Sequence, residues 1–161
     1  MELEVATNNL GNLKEFAKDV KKFIVEQNLY VNIQGKNYVL VEGWQFMGGM
    51  LGIEAIVTGL ENHSNENEIK YHCTVEMIKG DRMLSRGFAI CSNKEQKKKS
   101  FDEYAIASMA QTRAIGKAYR LKLGWLMKLA GYEGTPAEEI DDTPVAVTDD
   151  TINDIAKAHK A

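Results

Sequence analysis

Between residues 9 and 28, Leu13, Phe16, Val20, Phe23, Ile24 and Gln27 recur at helical spacing among Lys, Glu and Asp. This predicts an amphipathic helix capped by Asn9 or Asn12. Its single apolar stripe fits packing either on the rest of the chain or on a neighbouring subunit. Two β-prone runs follow, Tyr30-Val31-Asn32-Ile33 and Tyr38-Val39-Leu40-Val41, around Gln34-Gly35-Lys36-Asn37. They predict a small hairpin ended by Glu42-Gly43. Residues 44–51 predict a short helix closed by Gly52. The Gly48-Gly49 pair inside it costs about 1 kcal/mol per Gly relative to Ala. Either the helix is short or another backbone comes close.

Three strands are expected next. The first spans 53–60, and a polar loop at 61–67 leads to the second. There Ile69, Tyr71, Cys73, Val75 and Met77 alternate with Lys70, His72, Thr74 and Glu76, as in a strand with one buried and one wet face. Lys79-Gly80-Asp81-Arg82 is a turn into a third strand at 83–90. Connections this short predict an antiparallel meander. A Lys-rich loop at 91–100 precedes a long helix at 101–119, with Ser100 and Glu103 as a capping box. Leu121-Lys122-Leu123-Gly124 predicts an interruption, and a short helix at 125–130 ends at Gly131.

The expected fold is therefore α+β: an antiparallel β-β-β-α core with an upstream β-hairpin and helices packed on one face of the sheet. The expected divisions are an N-terminal helix (1–29), a core domain (30–134) and an acidic flexible tail (135–161) with a short terminal helix at 151–160.

Composition changes this picture little; charge changes it more. The chain has 161 residues, and its two cysteines, Cys73 and Cys91, are not in CxxC spacing. That excludes a disulfide scaffold and a zinc ribbon and points to a reducing cytoplasm. No apolar run approaches the ~20 residues of a membrane helix, and the acidic Met1-Glu2-Leu3-Glu4 start lacks a signal-peptide core, so no membrane partner is expected. The net charge is −3. It is split by segment: −1 over residues 1–29, +3 over 30–135 and −5 over 136–161. The basic residues of the middle segment cluster late, at Lys94, Lys97, Lys98, Lys99, Arg113, Lys117, Arg120 and Lys122. A local basic surface governs polyanion binding more than the total charge does.

On a helical wheel at 100° per residue, Arg113, Lys117 and Arg120 fall within an arc of about 60°. Such a stripe suits a run of phosphates along a strand. Tyr104, Ser108, Ile115 and Ala118 lie opposite, a mostly small face suited to lying on the sheet. Ile106 and Met109 extend the basic stripe and point to contact with another subunit or with bases.

The block "GFAIC…K…FDEYAIASMAQTRAIGKAYR" resembles the core of the Rad fifty-two type of single-strand annealing proteins, including phage-encoded members. Tyr38-Val39-Leu40-Val41-Glu42-Gly43 and Gly52 occupy the places of the family's hairpin turn and short-helix end. The run from Ala110 to Arg120 is similar to the family's long-helix pattern, so Lys117 and Arg120 match family cations that contact single-stranded DNA. The family's first cation is Gly116 here, and Arg113 stands one turn earlier. The resemblance covers about residues 30–132. It implies a homo-oligomer, a ring or helical filament, that binds single-stranded DNA in a basic groove and anneals complementary strands in recombination or repair. Such a protein would work in a bacterial or phage-infected cell. The Lys94/Lys97/Lys98/Lys99 loop would form a second groove wall, with Lys122 nearby.

Annealing makes and breaks no covalent bond, so neither an enzyme nor a cofactor is expected. The chain has no P-loop, no GxGxxG and no Ser-His-Asp order. His63, Glu66, Glu68, His72 and Glu76 match no compact ligand spacing, so no metal is expected. Trp44, Phe46, Trp125 and Tyr132 are expected to pack more than to stack on bases. The acidic tail fits a solubilising role, competition with DNA for the groove, or recruitment of a single-stranded DNA-binding protein or nuclease. The alternative reading is an accessory protein that docks an acidic protein partner through the same stripe.

Overall fold

Asn9 caps the first helix, α1 (Leu10–Glu26), by accepting a hydrogen bond from the Asn12 amide at 3.1 Å. The computed structural model describes residues 9–95 and 98–140. Helix α1 ends where Asn28 takes φ +54° and Leu29 N–H donates back to the Ile24 carbonyl at 2.9 Å. Its buried face, Leu13, Phe16, Ala17, Val20 and Ile24, joins the same core as the sheet. Of the two packing choices open to the stripe, the chain uses its own domain.

The hairpin pairs β1 (Tyr30–Ile33) with β2 (Lys36–Val39). Its loop is two residues, Gln34 and Gly35, both at positive φ, as a primed turn requires. The turn is thus tighter than the four residues expected, and β2 starts and ends earlier. Leu40 then opens α2 (Val41–Met50), so Glu42 and Gly43 lie inside the helix and do not end the hairpin. The reason lies far away in sequence. The Glu138 carboxylate accepts from the Val41 amide, both oxygens at 2.9 Å, and caps the helix start.

Strands β3 (Glu54–Asn62), β4 (Lys70–Lys79) and β5 (Arg82–Ser92) form an antiparallel sheet in that order. The alternation of β4 holds: Cys73, Val75 and Met77 are fully buried. One helix, α3 (Glu103–Leu129), crosses the covered face. Two expectations fail here. The cap is Asp102, which accepts from the Ala105 amide at 2.8 Å. Glu103, expected in a capping box with Ser100, instead accepts from the Tyr71 hydroxyl. The helix also runs through 121–124 unbroken, because Gly124 sits where a Cβ would lie 3.3 Å from the Gly134 carbonyl oxygen. A close neighbour, not a break, explains that glycine.

The face of α3 that meets the sheet is Ala110, Ala114 and Ala118, all fully buried. A Cβ on Gly87 of β5 would lie 2.6 Å from Ala118 N, so helix and strand meet backbone to backbone. Ser85 Oγ donates to the Ala118 carbonyl at 2.7 Å. The wheel misplaces three residues. Tyr104 is 81% exposed, Ile106 is fully buried in the core, and Met109 packs against that core. A wheel assumes one buried face, whereas α3 is covered by the sheet on one side and reached by α1 and α2 on others. Gly48 of α2 leaves room for the Tyr119 ring, so a side chain and not the expected backbone comes close, while Gly49 faces open space.

Residues 136–140 fall within the segment whose composition reads as acidic tail. They pack as a 3-10 turn (Ala137–Glu139), with Ala137 fully buried and Pro136 against Gly116. The terminal helix expected at 151–160 lies outside the described residues. Among the described residues no helix is long and apolar enough to cross a membrane.

Candidate nucleic-acid interface

Strand β5 is an edge of the sheet, and its outer flank faces α3 across a groove of about 300 Å³. The groove is lined by Phe88, Ala89, Ile90, Arg113, Lys117 and Glu139. Register explains the lining. Gly87, Ala89 and Cys91 share the covered face with Val75, Cys73 and Tyr71, which leaves Phe88 and Ile90 on the open face opposite Thr74 and His72. Phe88 is 52% exposed and Ile90 47%.

The structure gathers Arg113, Lys117 and Arg120 on the flank of α3 beside this edge. They differ in what holds them. Lys117 Nζ stands 4.5 Å from the centre of the Phe88 ring, a cation–π contact, and makes no ion pair among the described residues. Arg113 is nearly buried and grips Glu95 through two hydrogen bonds of 2.9 Å. It also donates to the Glu138 carbonyl at 3.1 Å and the Ile90 carbonyl at 3.4 Å. Arg120 Nε donates to the Glu139 carboxylate at 2.9 Å. The stripe is thus one open cation flanked by two arginines already seated on carboxylates.

The lysine loop behaves differently from the expected groove wall. Lys98 is 5% exposed, ion-paired with Glu95 at 3.3 Å and set over the Phe101 ring. Its backbone N–H also bonds the Glu95 carbonyl, so Lys98 closes its loop and does not face solvent. Lys94 and Lys99 are exposed, and Lys122 is half-buried farther along α3. Lys97 lies outside the described residues.

Electrostatics follow these partners. Burial pushes the Glu95 carboxyl up, but the Arg113 hydrogen bonds and charge, the Ser92 amide and Lys98 outweigh it and hold Glu95 below its ordinary value. Burial raises Glu138, which Glu42 and Glu139 push the same way and the Val41 amide only partly offsets. Burial drives the Cys91 thiol up to about 11, against the pull of Arg113.

Three of the four aromatic residues singled out in the sequence are packed. Trp44 is fully buried and donates to the Val39 carbonyl at 3.2 Å. Phe46 stacks on Phe23, and Tyr132 packs against Tyr30. Trp125 is 45% exposed. Phe88 escaped the sequence reading. Its signal is positional: an aromatic on the wet register of a strand, between Gly87 and Ala89. No family model matches the chain, and no curated protein matches it.

Proposed function

We propose that this chain binds single-stranded DNA in the groove between β5 and α3 and, as an oligomer joining such grooves, anneals complementary strands. The observation that carries this reading is the Lys117 ammonium over the half-exposed Phe88 ring. The half-exposed ring offers a base a stacking platform on the face the ammonium does not cover, and the ammonium answers the phosphate of the same nucleotide. Arg113 and Arg120 flank it on the same side of the helix, and a phosphate that displaced Glu95 or Glu139 would extend the contact along a backbone tracked without sequence preference. The reading needs no cofactor and no bond chemistry.

Binding of a labelled single-stranded oligonucleotide across a salt series tests it. Lys117→Ala should lower the slope of log K against log salt by about 0.7, the value of one phosphate contact on a single strand. Phe88→Ala should weaken binding by about fivefold or more without changing that slope, since base stacking contributes about 1–3 kcal/mol. Folded variants that bind with wild-type affinity and slope would overturn the proposal.

One observation favours a second reading. Carboxylates already occupy Arg113 and Arg120, so an acidic protein segment fits the same groove. Preference for a poly-glutamate peptide over an oligonucleotide of equal charge would select that alternative.

A further inference from the structure

On the open face of the sheet, away from α3, three ligating side chains converge: Glu61, His63 and His72. The register of β3 brings them together. Ala55 pairs with Met77 and Val57 with Val75, which sets the odd-numbered residues of early β3 on the covered face. A bulge between Val57 and Gly59 shifts the pairing by one, so that Glu61 pairs with His72 on the open face. His63, two residues on, follows Glu61 to that face and is held by its N–H bond to the Lys70 carbonyl at 2.8 Å. Without the bulge, Glu61 and His63 would point to the opposite side of the sheet from His72. Sequence spacing alone cannot show this cluster, because the shift is made in the pairing. Of the five residues weighed in the sequence, only His63 and His72 meet. Glu68 accepts from Ser92 Oγ and Glu76 pairs with Arg86.

The distances suit an ion. Glu61 Oε2 lies 2.9 Å from His63 Nε2 and 3.9 Å from His72 Nδ1, and one ligand atom from each residue falls within 4.8 Å of the others. Metal–ligand bonds of about 2.0–2.2 Å in tetrahedral geometry put neighbouring donors about 3.4 Å apart, and the two observed spacings bracket that value. A proton bridges the shorter gap well. It cannot bridge the longer one, which exceeds hydrogen-bond reach. His72 Nε2, on the far side of the ring, is buried and has no hydrogen-bond partner among the described residues. That atom faces away from Glu61; it is His72 Nδ1, 3.9 Å from the carboxylate, whose lone pair no hydrogen bond among the described residues uses.

We propose that Glu61, His63 and His72 form a binding site for a divalent transition-metal ion of the zinc class. Two imidazole nitrogens and one carboxylate oxygen are a ligand set that zinc accepts, and a tetrahedral ion keeps one position open to solvent or to an incoming ligand. The hard ions magnesium and calcium favour all-oxygen sets and bind here more weakly. The site is separate from the groove residues, although the His72 ring meets the edge of Phe88 at 5.6 Å between centres.

The test uses the full chain without an affinity tag, titrated with Co²⁺ as a spectroscopic probe and then with Zn²⁺. The expected result is one saturable Co²⁺ per chain, with the intense visible absorption of a tetrahedral site, displaced by Zn²⁺ and not by Mg²⁺. The His63→Ala/His72→Ala double variant should lose more than about tenfold in affinity, and Glu61→Gln should lose affinity as well. The chain's remaining histidine, His159, is kept in every variant as an internal control. Imidazole proton resonances give a second measurement that needs no variant: Zn²⁺ should shift two histidines together and leave the third unmoved. Equal Co²⁺ affinity in wild type and double variant, or no coordinated shift of two histidines, would overturn the proposal. Neither readout involves nucleic acid, so failure here is distinct from failure of the groove reading.

Discussion

Glu95→Gln should move stability and nucleic-acid binding in opposite directions. Glu95 holds Arg113 through two bonds of 2.9 Å, with Arg113 12% and Glu95 32% exposed at the side chain. Breaking a fully buried pair costs about 3–5 kcal/mol, while an exposed pair is worth about 0–1 kcal/mol. This pair lies between, and the amide keeps one acceptor, so a loss of about 2 kcal/mol is expected. For a chain of this size that lowers Tm by about 4–8 °C. The sign with pH follows from the lowered carboxyl. Its stabilisation is complete above the ordinary value of 4.5 and is lost as pH falls through the lower folded value. The gap between wild type and variant should therefore hold at neutral pH and close in acid.

Binding should respond the other way. On the proposed nucleic-acid reading, the same carboxylate competes with phosphate for the Arg113 guanidinium. Relieving a competition of about 1.4 kcal/mol tightens binding about tenfold, and one added phosphate contact steepens the salt slope by about 0.7. Thermal melts at pH 7 and at successively lower pH well below 4.5, paired with fluorescence anisotropy of a labelled oligonucleotide, measure both. Weaker binding in step with lower stability would show Arg113 to be an anchor for the loop and not part of the interface.

Three further outcomes follow from the packing and the buried groups. Gly87→Ala should destabilise by about 3 kcal/mol, since its methyl would meet helix backbone that cannot give way; a denaturant midpoint unchanged from wild type would refute the backbone-to-backbone contact. Glu138→Gln keeps an acceptor for the Val41 amide and removes a buried charge. It should be more stable than wild type at pH 7, with the advantage fading as pH falls through the raised folded value and gone below the ordinary 4.5, because a raised carboxyl makes folding less favourable as pH rises; a pH-independent difference would contradict this. Cys91, with its thiol near 11 and no exposure, should resist a thiol reagent at pH 8 until the chain is unfolded; labelling at the rate of a free thiol would place it in an opening segment.

The elements that the sequence made legible are those whose neighbours are local. The alternation of β4 announces its buried face, and the α1 stripe announces its own, because each has one wet and one dry side. Helix α3 was legible as a helix but not in its facing. With the Ala110-Ala114-Ala118 stripe on the sheet and Tyr119 beneath Gly48, it has little wet side, and a wheel built to find one places Ile106 and Tyr104 wrongly. Gly124 looked like a break because the chain that crowds it, at Gly134, is ten residues away. Glu138 and Glu139 looked like tail because composition cannot show that one caps α2 and the other holds Arg120. The wheel and the structure both put the three cations on one flank of α3, but the carboxylate partners of Arg113 and Arg120 come from Glu95 and Glu139, on separate segments that only folding brings beside α3. Phe88 and the Glu61–His63–His72 cluster depend on register, one on which face a strand residue takes and the other on a bulge.

The most direct test of the groove as a nucleic-acid site is the rate at which two complementary labelled oligonucleotides anneal, with wild type and with Phe88→Ala/Lys117→Ala, across a salt series. The predicted result is acceleration by wild type that fades as salt rises, and little acceleration by a double variant that keeps the wild-type melting profile. Equal acceleration by both proteins, or none by either at low salt, would contradict it.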